Sequence, residues 1–501
     1  MMPHSGGSIF ALGIKNKSTM DWDVLFYKLA ANTFDTLWSK QYGGSSEDNL
    51  GYMLELPDKS ILLAGTTKSK DGDVWYGHTY SAEEIWVLRV DTMGNIIKGN
   101  VFGGSGGSYL NALRAGPDGQ IYLSGITLAK DYDFAHLGYG MFDADPWVVR
   151  IDTQLQLQSV LVLPGNDFEG RPFVESISPN SVIFGFGSGG TNAEVYGNLS
   201  KGLMDLVVIH LDSNLNIKWG KRIGGSHHDN ADGICRKLNN GKFAIVGRTQ
   251  SCDGDISFKR DCGSGPGATV SMLLAIMDTQ GVVHHCKAYG DSNTLNYSLA
   301  PNGVQVTGAL VDIDRIFLQF TTKGEGGDVN MNSWNRQRYI AWIGEFDTVA
   351  NLKGCKTIDG GAGFFGRSIF KYNNNLYWDV LCGNNETNLY RCDTSVVYDF
   401  LMGLTLTPLG LENVTTRNST LIVYPNPANN ILYLQLNANI FLENSMFYQI
   451  LGVDGQIYYS GELQPDQNNH AQIDIGQLDT GWYILKTKLN KSEIRTTFSK
   501  L

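Results

Sequence analysis

Charge is what this chain has little of. Asp, Glu, Lys and Arg together make up 18% of 501 residues, and they balance to a formal −11. No segment gathers Lys and Arg into a run, which excludes an electrostatic surface for nucleic acid or an anionic membrane. No apolar stretch approaches the roughly 20 residues that a membrane-spanning helix requires. Long helical repeats are missing as well. So are motifs that mark common active sites: there is no His-Glu-x-x-His and no phosphate-cradling loop. The pairs His227-His228 and His284-His285 do not replace them, because neighbours on a strand point to opposite faces. What the chain has instead is 59 glycines and 11% aromatics, a composition suited to many short strands and tight turns.

Those strands repeat. One apolar type recurs seven times at a spacing of about 60 residues, the signal of a repeat architecture. Its copies begin at Val24, Trp86, Trp147, Leu206, Met272, Ala341 and Phe400. Five of them end in Asp followed by Thr or Ser (Asp91, Asp152, Asp212, Asp278, Asp347), where the carboxylate can accept backbone N–H groups in an Asx-turn. A second strand type leads into glycines, as in Tyr42-Gly43-Gly44, Phe102-Gly103-Gly104 and Ile223-Gly224-Gly225. A third and fourth type form a hairpin, seen at Pro57-Asp58, Pro117-Asp118-Gly119 and Asn240-Gly241. Four strands per unit and seven units predict an all-β, seven-bladed β-propeller over residues 1–408. The first unit holds only a stub of the third strand type and the last has no clear second type. We therefore expect a natural precursor with a signal peptide and one or two further strands before Met1.

Residues 420–501, beyond a linker at 409–419, read as a separate small β-sandwich of immunoglobulin-like form. Alternating apolar runs such as Ile431 to Leu436, Met446 to Leu451 and Tyr483 to Thr487 are divided by Asn, Asp and Gly clusters. Three motifs occur there in order: Tyr424-Pro425-Asn426-Pro427, then Gly481-Trp482-Tyr483, then the terminal Lys500-Leu501. This segment resembles the type A C-terminal sorting domain of type IX secretion substrates in Bacteroidota. The resemblance implies passage through the periplasm and release or anchoring at the cell surface, with the translocon, its shuttle and its sortase as partners. The upstream repeat resembles the propeller repeats of secreted Bacteroidota proteins, through the Trp38 to Gly44 element, the Asp-Gly hairpin and the Asp-Gly-Asp loop.

If the third strand type is innermost, the long connections from the fourth type to the first open on the same face as the Gly-Gly links. Those connections run about 20 residues, beyond ordinary loop length. They hold Trp75, Tyr76, His78, Tyr80, His136, Tyr139 and Trp334, which are our candidates for contact with a glycan or protein ligand. The same loops carry Asp71-Gly72-Asp73, Asp131-Tyr132-Asp133 and Asp253-Gly254-Asp255. Alternating carboxylates suit Ca²⁺; no copy continues to a distal Glu, so turn stabilisation is the preferred role and Ca²⁺ the alternative. No other cofactor is implied. Asp48, Glu169 and Asp229 are weaker candidates for the channel mouth, with turn capping as the competing role.

Seven cysteines leave one at least unpaired. Cys252 with Cys262, and Cys382 with Cys392, stand at equivalent loop positions and suit disulfides in an oxidising compartment. Cys286 and Cys355 sit on matching outer strands, too far apart for the roughly 4.4–6.8 Å Cα separation of a bridge, and are expected as thiols, like Cys235. The function expected is that of a secreted or surface-held, non-enzymatic binding module. The alternatives are a polysaccharide hydrolase or lyase with carboxylates dispersed at the channel, and a structural surface component.

Overall fold

Strands that are apolar on both faces must be covered on both sides, and each repeat supplies two of them. In the second repeat Ile61–Thr67 and Glu84–Val90 are buried almost throughout. A computed structural model describes residues 1–18, 21–31, 34–74, 78, 82–117, 119–135, 144–164, 170–189, 201–257, 270–290, 305–322, 340–358, 364–372, 375–382, 398–405, 421–424, 428–436, 446–452, 456–464, 466, 470–479, 481–489 and 492–500. The chain divides into two compact units, Met1–Leu411 and Glu412–Leu501.

The first unit is a succession of antiparallel sheets. Blade one comprises Met2–His4, Ser8–Ser18, Asp21–Ala30 and Thr36–Tyr42. Blade two comprises Asp48–Glu55, Ile61–Thr67, Glu84–Val90 and Ile96–Phe102. Blade three takes Ser108–Ala115, Ile121–Thr127, Asp145–Ile151 and Leu157–Val162, and blade four Phe173–Ser178, Ser181–Ser188, Asp205–Leu211 and Ile217–Ile223. Blade five is Asp229–Lys237, Phe243–Thr249, Ser271–Met277 and Val283–Tyr289; blade six is Gln305–Asp312, Arg315–Thr322, Ile340–Asp347 and Leu352–Ile358. Phe364–Tyr372, Asn375–Cys382 and Tyr398–Thr405 form a three-stranded seventh blade among the described residues.

The first strand of each blade lies against the first strand of the next, and Met2–His4 touches both Asp48–Glu55 and Phe364–Tyr372. The seven inner strands thus close a ring, which is the seven-bladed propeller that the repeat predicts. The third strand type is the innermost.

Between blades the core is apolar. Ala244, Val246, Leu274 and Ile276 of blade five pack on Ile316, Leu318, Phe320 and Trp342 of blade six. At the seam, Ile9, Ala11 and Leu29 of blade one meet Phe370 of blade seven. Trp86, Trp147 and Trp342, at the same point of their repeats, are among the largest fully buried side chains. Outer strands such as Thr36–Tyr42 are mostly exposed and therefore carry the polar residues.

The turn aspartates do what their position predicts. Asp91 Oδ1 accepts the Met93 and Asn95 N–H groups, both at 2.8 Å, and Asp152, Asp212, Asp278 and Asp347 repeat the arrangement. The Asn216 side chain, followed by backbone N–H groups acting against desolvation, holds the Asp212 carboxyl below its ordinary range.

A β-bulge interrupts the inner strand in several blades, between Leu50 and Tyr52, next to Leu110, and between Ala231 and Ile234. Bulges re-aim side chains, and here they turn Gly51, Asn111, Asp232 and Gly233 toward the axis, where these residues line a cavity. Each bulge brings a backbone carbonyl against the middle strand. That close approach explains Gly65, Gly125 and Gly247, where a β-carbon would overlap the carbonyl oxygens of Asn49, Tyr109 and Asn230.

In the second unit, Leu421–Tyr424, Ile431–Leu436 and His470–Asp474 form one sheet; Ile457–Leu463, Met446–Gly452, Gly481–Leu489 and Ser492–Lys500 form another, in that order. Leu432, Leu434 and Ile473 of the first sheet share a core with Ile450, Tyr483, Leu485 and Phe498 of the second, so the unit is a β-sandwich.

Candidate functional site

The register places the long connections and the Gly-Gly links on one face, as the sequence predicts. Asp48 at the start of the inner strand pairs with Thr67 at the end of the middle strand, from which the long loop departs. The loops are tied to the links by the Asp-x-Asp motifs. Asp71 Oδ1 accepts the Ser45 N–H at 2.8 Å and Asp73 Oδ2 the Gly43 N–H at 3.1 Å. Asp131 and Asp133 do the same for Ser105 and Gly103, and Asp253 and Asp255 for Ser226 and Gly224. The three pairs stand on three different blades, each occupied with backbone donors. Among the described residues no group of three or more His, Cys, Asp or Glu side chains is placed to hold a metal ion.

Because Asp253 accepts the Ser226 N–H at 2.7 Å from an exposed position, Asp253→Ala is expected to lower the unfolding free energy by about 0.5–1.5 kcal/mol. EDTA should leave the melting temperature of the native chain unchanged; a drop on chelation would mean that the carboxylates hold an ion.

Asp48 and Asp229 also serve the links. Asp48 Oδ2 accepts the Gly44 N–H at 2.7 Å and the Ser69 hydroxyl at 2.8 Å, and Asp229 Oδ2 accepts the Gly225 N–H and the Ser251 hydroxyl, each at 2.7 Å. Burial raises both carboxyls above their ordinary range, and these hydrogen bonds oppose it. They cap turns, and neither lines the axial cavity. Glu169 lies outside the described residues, as do Trp75, Tyr76, Tyr80, His136, Tyr139 and Trp334.

Of the candidate ligand contacts, His78 is described, and it sits in a built environment. Its Nδ1 is 2.6 Å from Oε1 of Glu84, a fully buried carboxylate that also pairs with Lys70. The His78 ring lies 4.9 Å from that of Tyr132, on the corresponding loop of the next blade. Tyr132 is 53% exposed and has φ +50°. The equivalent residues in blades two and five are Gly72 at φ +64° and Gly254 at φ +65°, where a β-carbon would overlap the carbonyl oxygens of Gly43 and Gly224. An aromatic residue thus occupies a left-handed position that two other repeats give to glycine, at a cost of roughly 1–2 kcal/mol. Sequence reasoning passed over Tyr132, although Asp-Tyr-Asp among Asp-Gly-Asp copies marks it.

At the axis of the propeller the sequence suggests carboxylates, and the residues found there are chiefly arginines. The inner strands enclose a cavity of about 740 Å³. It is lined by Arg114, Arg171, Arg236 and Asp232 among apolar side chains. Arg114 Nε donates to Glu175 at 3.1 Å, and Asp232 is paired with Arg248 at 2.8 Å. Burial raises both carboxyls while their arginines pull them back. These residues carry no motif; the bulges that aim some of them inward cannot be read from spacing.

Cys252 is disulfide-bonded; Cys262, Cys392 and the Cys382 side chain lie outside the described residues. Cys235 and Cys286 are buried thiols and Cys355 is a thiol too, as expected. In the second unit, Gly481 pairs with Lys500, and the Tyr483 hydroxyl donates to the Asp479 carbonyl at 2.9 Å. Tyr424 ends the first strand of the sandwich, and Pro425, Asn426 and Pro427 lie outside the described residues.

Fold and tail together define an exported β-propeller protein. Residues 422–500 match the family model described as the secretion system C-terminal sorting domain, the signal read by the type IX machinery, so the protein is delivered to the cell surface or the exterior. Among the described residues no helix is long and apolar enough to cross a membrane. No curated protein matches the chain.

Solved structures similar to it include a Trypanosoma rangeli sialidase mutant displaying trans-sialidase activity (10% identity, TM-score 0.34, covering 99% of this chain and 89% of that one). The extracellular domains of Drosophila semaphorin 1b match at 9% identity and TM-score 0.30, over 85% and 83% of the two chains. A Synechocystis apocarotenoid oxygenase mutant matches at 12% and 0.38, over 76% and 85%. Likenesses at this level carry no argument about activity.

Proposed function

We propose that the propeller is a non-enzymatic glycan-binding module that works at the cell surface or outside the cell, its ligand resting on the long-loop face. The observation that carries this reading is Tyr132. A solvent-facing aromatic ring is held in a strained backbone conformation where glycine serves elsewhere, and it is backed by a histidine fixed on a buried carboxylate. Strain of that kind persists where the side chain is needed. A flat, rigid ring buries much area against the apolar face of a sugar at low entropic cost.

The test compares the full chain with Tyr132→Gly on a glycan array and by calorimetry. The variant is expected to lose at least tenfold in glycan affinity, about 1.4 kcal/mol. Its thermal stability should stay the same or rise by up to about 1 kcal/mol, since the backbone strain is relieved. Unchanged binding by Tyr132→Gly would overturn the reading. Release of reducing ends from any polysaccharide would replace it with a hydrolase or lyase, and absence of binding to all glycans and proteins with a structural surface component.

A further inference from the structure

The axial cavity reverses the sign of the molecule. The chain carries a formal −11, yet the cavity lining has three guanidiniums and one carboxylate. Glu175 is hydrogen-bonded by Arg114 and also attracts Arg236, while Asp232 is paired with Arg248 and also attracts Arg171. Four guanidiniums thus share two carboxylates, which leaves two positive charges in excess. Arg236 spends Nε on the Ala309 carbonyl at 2.9 Å and Nη1 on the Cys235 carbonyl at 2.8 Å, neither of them a charged acceptor. Burial and then the nearby Arg114 guanidinium pull its pKa down to about 9 against the opposing Glu175 carboxylate, so it stays protonated at neutral pH beside a like charge. Arg171 belongs to the inner wall but is exposed, as are Asn49 and Gly51 across the ring, so the cavity is open to solvent.

A guanidinium is a planar fork of donors whose best partners are carboxylate, phosphate and sulfate. The rest of the wall narrows the choice. Asn111 Oδ1 is buried and accepts no hydrogen bond from the described residues, although its residue lines the cavity; a buried acceptor without a donor is costly, and a ligand hydroxyl would satisfy it. Asn49 and Thr66 add polar groups, while Met53, Ile234, Val306 and Phe370 present apolar surface. A volume near 740 Å³ lies within the range of about 300–1,000 Å³ usual for small-ligand pockets.

We infer that the axial channel is a binding site for an acidic sugar, a pyranose bearing a carboxylate, held by Arg171 and Arg236 at its charge and by Asn111 at a hydroxyl. This site is separate from the Tyr132 face and stands or falls independently of it. The acid could arrive as a free monosaccharide or as the end residue of an oligosaccharide; the shared chemistry is the carboxylate on a hydroxylated ring.

The experiment is calorimetric titration of the full chain with glucuronate, glucose, inorganic phosphate and an oligosaccharide ending in glucuronate. Glucuronate is expected to bind saturably and at least tenfold more tightly than glucose or phosphate. Whichever of the free and terminal acid binds more tightly identifies the natural form. Arg171→Gln, at an exposed residue and with its melting temperature measured alongside, should weaken glucuronate at least tenfold. Asn111→Ala should weaken glucuronate more than phosphate. Absence of glucuronate binding overturns the inference, as does equal binding of glucose. Phosphate binding as tightly as glucuronate overturns the sugar and leaves a bare anion site. Glucuronate affinity untouched by Arg171→Gln overturns the location.

Discussion

Gly125→Ala is expected to destabilise the propeller by about 3 kcal/mol or more, at the upper end of what overpacking costs. The added methyl group would overlap the Tyr109 carbonyl oxygen and stand 2.7 Å from the buried Trp147 ring. The carbonyl belongs to the bulged inner strand and the ring to the inter-blade core, so neither can retreat without breaking a ladder or opening a void. Gly119→Ala is the control. Gly119 has φ +78° with open space around it, so alanine there meets only the left-handed backbone term of roughly 1–2 kcal/mol. Denaturant unfolding of the two variants measures the difference. Equal losses would mean that the bulge does not constrain Gly125.

The second large effect belongs to the sorting unit. Phe498 is fully buried and stacks on Tyr483 with ring centroids 5.7 Å apart. It sits near the end of the last strand, Ser492–Lys500, which pairs along its length with Gly481–Leu489. Phe498→Ala is expected to cost about 3–5 kcal/mol. A unit of this size has a total stability on the order of 5–10 kcal/mol, so the sandwich loses much of its margin. In a host with type IX secretion the variant should accumulate inside the cell instead of at the surface or in the medium, while the propeller melts as before. Normal export of Phe498→Ala would show that the machinery reads the tail as a linear segment and not as a folded domain.

The architecture was legible because a propeller repeats its instructions. Alternation, Asp-capped turns and Gly-Gly links recur at one period, so a weak signal in any copy is supported by the others. Which strand is innermost entered only as a condition, and it is the contacts between first strands of successive blades that place the third type at the axis. The same regularity hid the sites. Asp71, Asp131 and Asp253 resemble ion ligands because they alternate, yet their carboxylates accept N–H groups of the preceding links. Tyr132 stands out through its departure from the glycine of two other copies, a contrast that appears only when copies are laid against one another. Arg171 and Arg236 were invisible for another reason: their meeting at the axis depends on ring closure and on bulges, neither of which has a local sequence code.

Ring closure itself rests on Met2–His4, three residues that pair with Ser8–Phe10 and touch the inner strand of blade seven at Phe364–Tyr372. The two sides of that seam are more than 350 residues apart in the chain, by the distance from His4 to Phe364. Contacts of such separation must be reached after their loop entropy has been lost. The early blades can form and stack as the chain emerges, but the circle is completed only when its last inner strand exists. The cavity has no full wall until then.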